Sequence, residues 1–196
     1  MTQQQLDHFE QNGWVLVDNF IPNEMAAAIR SEILSKRNEG ELKKAGIGRN
    51  DNFQLDQNRR GDFIEWIDSA LSSESTIFFL TQLQELIREL NRSFYLGISD
   101  HEAHLTYYPE GTRYEKHVDR HKSGSARRVS FVFYLNENWV PDHGGELIIY
   151  QSTESSESVQ PVFNRLAIFL SEMEHEVSLT HQPRMSITGW MLNRGL

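Results

Sequence analysis

Val129-Ser130-Phe131-Val132-Phe133-Tyr134-Leu135 is the stretch that decides the fold. It is built from β-branched and aromatic residues, and in an extended chain successive side chains point to opposite sides. Val129, Phe131, Phe133 and Leu135 therefore share one face, while Ser130, Val132 and Tyr134 share the other and turn inward. Similar short runs rich in Val, Ile, Phe, Tyr and Thr recur from His101 onward, separated by clusters of Gly, Pro, Asn and Asp. They predict strands over 102–108, 112–118, 127–135, 145–150, 159–163, 166–170, 174–179 and 184–191. About eight strands suit a double-sheet jelly roll.

The residues before His101 read differently. Thr2 suits an N-cap for a helix that ends at Gly13, with Leu6 and Phe9 on its buried side. A short strand over 14–17 follows, and Pro22 opens a second helix in which Met25, Ile29 and Ile33 recur at i, i+4, i+8 before it ends near Gly40. A third helix carries Ile77, Leu80, Leu83, Ile87 and Leu90 along one face. Residues 38–59 have few apolar anchors and predict a long loop of the kind that forms lids. The expected architecture is α+β and mainly β: a double-stranded β-helix (jelly roll) over 101–196, supported by N-terminal helices over 1–100 with the lid at 38–59, all in a single domain over 1–196.

Composition narrows the function. The 196 residues contain no cysteine, so any metal must be held by imidazole and carboxylate. A net charge of -9 opposes binding to phosphate backbones, and no nucleic-acid partner is expected. No apolar run is long enough for a membrane span, and the amino terminus lacks the basic flank and apolar run of a secretory signal; a cytoplasmic monomer is expected, with no membrane association. Arg113, Lys116, Arg120, Lys122, Arg127 and Arg128 crowd one stretch, which reads mostly as a solvated face.

Within Glu115-Lys116-His117-Val118-Asp119, residues two apart share a face, so His117 and Asp119 present a nitrogen and an oxygen together. His175, on a late strand, can complete a two-histidine, one-carboxylate set, which leaves open positions and favours non-haem Fe(II). Two other histidine groups fit less well. His8-Phe9-Glu10 falls on a helix, where i and i+2 diverge, and His101-Glu102-Ala103-His104 is one residue short of the helical HExxH zinc pattern; both read as ordinary surface or strand residues.

Arg184 lies beyond His175 in Arg184-Met185-Ser186-Ile187-Thr188-Gly189-Trp190, where alternation puts Arg184, Thr188 and Trp190 on one face. An always-charged residue facing a barrel interior requires an anion, and its planar fork matches a carboxylate such as the distal one of 2-oxoglutarate. A structural salt bridge with one of the 28 acidic residues is the competing reading. Tyr134, on the inward face of its strand, either shares that carboxylate or caps a core hydrogen bond.

Tyr108-Pro109, His117-Val118-Asp119, Tyr134-Leu135-Asn136 with Trp139, Gly144-Gly145-Glu146-Leu147, His175-Glu176-Val177 and Arg184 through Trp190 occur in one order. Together they resemble the prolyl hydroxylase branch of the 2-oxoglutarate and Fe(II)-dependent oxygenases, which contains the oxygen-sensing hydroxylases of hypoxia-inducible factor and their bacterial relatives. The resemblance runs from about Arg60 to Trp190. It implies Fe(II) on His117, Asp119 and His175, 2-oxoglutarate hydrogen-bonded by Arg184, Tyr134 and Tyr108, and a pocket lined by Val132, Leu147, Val177, Thr188 and Trp190.

The implied reaction converts 2-oxoglutarate, O2 and peptidyl-proline to succinate, CO2 and hydroxyproline, with ascorbate as an accessory reductant and a proline-containing protein or peptide as partner. The resemblance further implies that Arg60 and Asp62 brace the lid, that Trp66 helps close the site, and that Arg127 contacts the peptide. The segment joining Tyr108 to His117 is one residue shorter than in the animal enzymes, which leaves Tyr107 as an alternative to Tyr108. The compact chain resembles the bacterial relatives, some of which act on a translation elongation factor. Two other readings stand beside this one: the same chemistry on a free amino acid or small metabolite, and a jelly-roll metal-binding module without turnover.

Overall fold

In the computed structural model, residues 1–46, 56, 59–120 and 125–195 are described. The strand that decides the fold, β6 (Arg127–Tyr134), lies third from one edge of a seven-stranded antiparallel sheet. Its neighbours are β9 (Arg165–Leu170) and β11 (Arg184–Leu192). Outward from β9 lies β1 (Trp14–Asp18); outward from β11 lie β4 (Asp100–Tyr108), β3 (Phe63–Trp66) and β2 (Lys43–Lys44). A second sheet packs over it in the order β5 (Tyr114–His117), β10 (His175–Val177), β7 (Leu147–Tyr150) and β8 (Ser156–Val159).

The two faces of β6 explain why the chain folds in three layers. Val129, Phe131, Phe133 and Leu135 pack on helices α2 (Asn23–Glu39) and α3 (Glu74–Phe94), meeting Ile29, Ile33, Phe79, Leu83 and Leu90 in one fully buried cluster. Val132 and Tyr134 face the second sheet and join Leu147, Ile149, Val159 and Phe169 in a smaller core. Each large apolar side chain withdrawn from water in this way contributes about 1.5–3 kcal/mol.

Helix α1 (Gln3–Asn12) has Thr2 as the predicted N-cap, which the structure shows in a capping box with Gln5, and stops at the left-handed Gly13. The expected jelly roll is the one observed. Several details differ. Ile77 is 44% exposed, because the buried stripe of α3 runs through Thr76, Phe79, Leu83, Leu86 and Leu90, with Leu80 and Ile87 at its edges. The first hundred residues supply three strands of the large sheet as well as helices. The strand expected over 159–163 is instead Ser156–Val159, a polar edge strand with little apolar signal that pairs Val159 to Leu147.

The lid expected over 38–59 begins inside α2 and includes β2, whose two lysines pair by main chain with Phe63 and Ile64; lysines on an edge strand hinder further pairing. Residues 47–55 and 57–58 lie outside the described part. Among the described residues, no helix is long and apolar enough to cross a membrane.

Candidate active site

Strands β5 and β10 pair so that His117 stands opposite His175. Pairing of β5 stops there because β10 begins at His175, so Asp119 sits just past the strand end rather than within an extended strand as predicted. Even so, the three side chains converge. Asp119 Oδ1 is 3.8 Å from His117 Nε2, Asp119 Oδ2 is 3.4 Å from His175 Nε2, and one ligand atom from each residue lies within 4.8 Å of the others.

Both imidazoles are already oriented. His117 Nδ1 lies 2.7 Å from the Glu115 carbonyl and His175 Nδ1 2.9 Å from that of Met173; each carbonyl can only accept, so the proton belongs on Nδ1 and the Nε2 lone pair is free. Burial, and then the neighbouring His175, hold His117 well below the ordinary histidine range, in its neutral form. Burial alone would raise the Asp119 carboxyl, but His175, His117 and a 2.7 Å hydrogen bond donated by Ser130 outweigh it and leave the group below its usual range. Two imidazoles that turn Nε2 to the cluster and a carboxylate held ionised fit Fe(II).

Arg184 enters the same cavity from β11 and is 1% exposed. Its Nε donates to the Gly145 carbonyl at 2.9 Å, and its guanidinium carbon lies 5.0 Å from the Tyr108 ring centre and 5.1 Å from that of Tyr134. Among the described residues no carboxylate forms an ion pair with it, and the buried Tyr134 hydroxyl has no hydrogen-bond partner. Burial pushes that phenol up to about 12, so it stays a donor. An uncompensated buried guanidinium beside an unpaired hydroxyl fits one end of a dicarboxylate.

The approach depends on Gly145, at φ +68°, where an added Cβ would stand 3.1 Å from Arg184 Cδ. Trp139 Nε1 donates to the adjoining Gly144 carbonyl at 3.0 Å and fixes that turn. The cavity spans about 480 Å³ with its open mouth; Val132, Leu147, Phe169, Val177, Thr188 and Trp190 form its walls between the histidine cluster and Arg184.

Residues 103–192 match the family described as the 2OG-Fe(II) oxygenase superfamily. A solved prolyl-4-hydroxylase of Pseudomonas putida is 34% identical, with a TM-score of 0.88 over 96% of this chain and 97% of that one. The chain belongs to the 2OG-Fe(II) oxygenase superfamily. Also similar are a prolyl hydroxylase of Trichoplax adhaerens, solved with a hypoxia inducible factor peptide fragment (26% identity, TM-score 0.88, 96% and 87% of the two chains), and the prolyl hydroxylase EGLN3 of Mus musculus (28% identity, 91% of this chain and 77% of that protein). Iron, 2-oxoglutarate and O2 are thus the reagents of this oxygenase.

Within the oxygenase, Tyr108 is buried in the cavity wall, whereas Tyr107 points to the helix side, with its ring 5.4 Å from the Arg37 guanidinium. Arg60 clamps Asp62 through two bonds of 2.8 and 3.0 Å, and both border the cavity. Trp66 is 53% exposed and stands beside two cavity residues, 5.1 Å from His104 and 6.2 Å from Trp190. Arg127 is not a solvated cation: it bonds Glu102 at 2.7 Å and lies 3.4 Å over the Trp190 ring. Its neighbours Arg113, Lys116 and Arg120 pair with Glu115, Glu174 and Glu172. Lys122 lies outside the described residues.

Three contributors escaped the sequence reading. Tyr114 stacks on His117; Ser130, assigned only to the inward face, bonds Asp119; and His104, read as an ordinary strand residue, lines the cavity. The signal for Ser130 was a lone small hydroxyl on an inward strand face. No local pattern marks Tyr114, whose partner is brought to it by the fold.

Proposed function

We propose that this oxygenase hydroxylates proline in a protein or peptide, with Fe(II) on His117, Asp119 and His175 and the distal carboxylate of 2-oxoglutarate held by Arg184, Tyr134 and Tyr108. The observation that carries the reading is the buried Arg184 guanidinium, without a carboxylate partner among the described residues, set beside the Tyr134 hydroxyl in the cavity that holds the histidine cluster. When bound, iron and 2-oxoglutarate supply oxidative decarboxylation to succinate and CO2, and one oxygen atom for the substrate.

The protein's own part is placement. The Glu115 and Met173 carbonyls keep both ligand tautomers fixed, and His175, His117 and Ser130 together hold Asp119 ionised. Arg184 and Tyr134 anchor one end of the cosubstrate and so direct its other end toward the cluster. Val132, Leu147, Val177, Thr188 and Trp190 enclose it in a mostly apolar wall that limits water. A peptide substrate is supported by the similarity to a hydroxylase solved with a peptide fragment, and by the exposed Trp66 indole beside His104 and Trp190 of the cavity. Arg127, held against Trp190, is the peptide-side contact.

Aerobic incubation with Fe(II) and 2-oxoglutarate should release succinate. Mass spectrometry of treated cell lysate, with a translation elongation factor among the candidate substrates, should find prolines that have gained one oxygen. Oxidation confined to free amino acids would overturn the peptide reading. His117→Ala and Asp119→Ala should each lose iron and keep the fold; unchanged iron stoichiometry would remove the ligand assignment.

A further inference from the structure

His104 lines the cavity, yet neither the ligand cluster nor the carboxylate cradle uses it. It is 1% exposed, and its Nδ1 lies 2.8 Å from Thr106 Oγ1, which fixes the ring. Its Nε2 is buried with no hydrogen-bond partner among the described residues. The metal-competent group of residues does not include it. In the sheet it stands between Thr188 of β11 and Trp66 of β3, with its ring 5.1 Å from Trp66 and 5.7 Å from Trp190. Tyr108, opposite Arg184, lies four residues further along β4, or about 13 Å at ordinary strand rise. His104 is therefore at the end of the cavity away from Arg184, against the two indoles.

A buried nitrogen without a partner is unfavourable unless an occupant of the site satisfies it. Burial, then the nearby Arg60, push this imidazole down to about 3, so it is neutral at physiological pH and does not select for an anion. Thr106 Oγ1 can donate or accept, so Nε2 is able to meet either a carbonyl or an N–H. A neutral, fixed hydrogen-bonding atom between two aromatic walls matches an uncharged peptide group. We propose that His104 Nε2 hydrogen-bonds a main-chain peptide group of the substrate beside the target proline, making His104 a substrate-contacting residue that favours peptides over free amino acids. The proposal rests on the prolyl-peptide reading above.

The test compares wild type, His104→Phe and His104→Gln on one cell lysate at several dilutions with Fe(II) and 2-oxoglutarate, counting proline oxidation by mass spectrometry. Succinate release without lysate, and 2-oxoglutarate binding to the Mn(II) form by calorimetry, are followed in parallel. The Phe variant should need about tenfold more lysate for half-maximal proline oxidation, the loss expected for one hydrogen bond, with little change in the saturating rate. The Gln variant, which keeps a polar atom in place of Nε2, should recover most of that loss, and 2-oxoglutarate binding should stay within about twofold in both. Equal impairment of Phe and Gln variants, a parallel loss of 2-oxoglutarate binding, or a Phe variant matching wild type would overturn the role of His104. Failure of the wild-type arm to oxidise any proline would instead sink the prolyl-peptide reading, and this proposal with it.

Discussion

The Tyr114 ring lies nearly flat on the His117 imidazole, with 3.7 Å between ring centres and 20° between planes. Arg60 sits over the same Tyr114 ring at 4.7 Å and is itself clamped by Asp62. Arg60, which lines the cavity, thus reaches a metal-ligand candidate through a single aromatic ring. Removing the stack with Tyr114→Leu should weaken Fe(II) binding about 10–100-fold, as loss of outer support around a ligand does, while Tyr114→Phe should lose much less. Anaerobic metal titration of the two variants decides it; equal affinities would show that the stack is incidental.

Arg184→Ala should raise the dissociation constant for 2-oxoglutarate by about one to three decades, corresponding to roughly 2–4 kcal/mol for a charge-assisted pair. Arg184→Met makes the complementary point. Since the buried guanidinium has no ion-pair partner among the described residues, the unliganded Met variant should melt no lower than wild type but should lose the stabilisation that 2-oxoglutarate confers. Thermal scans with and without 2-oxoglutarate check both halves.

Gly145→Ala forces a side chain into a backbone at φ +68° and against Arg184 and Thr180. A destabilisation of about 1–3 kcal/mol is expected, together with weaker 2-oxoglutarate binding as Arg184 shifts. An alanine variant with native stability and affinity would mean that the turn relaxes freely.

The buried His104 also makes a pH prediction. Its folded value of about 3 lies below the ordinary 6.5, so the unfolded chain takes up a proton first as pH falls. Stability from this group is complete above the ordinary value and declines from about pH 6.5 down toward 3. Between pH 7 and 5 the loss attributable to His104 is about 2 kcal/mol. Urea denaturation should therefore show a shallower decline for His104→Gln than for wild type over that interval; parallel curves would refute it.

Alternation in Val129 through Leu135, the caps at Thr2 and Gly13, and the order of His117, Asp119, His175 and Arg184 were readable from the chain alone, because each rests on local geometry or on residue types with narrow chemistry. The polar edge strands β2 and β8 were not, since main-chain pairing holds them and their side chains carry no apolar period. Only the tertiary structure decided that His104 faces the cavity, that Ser130 bonds Asp119, that Tyr114 stacks on His117 and that Tyr108 rather than Tyr107 lines the cavity. Those outcomes depend on strand register and on which elements the fold brings together. A one-residue change of register turns every side chain to the other face, and local spacing cannot specify a partner tens of residues away.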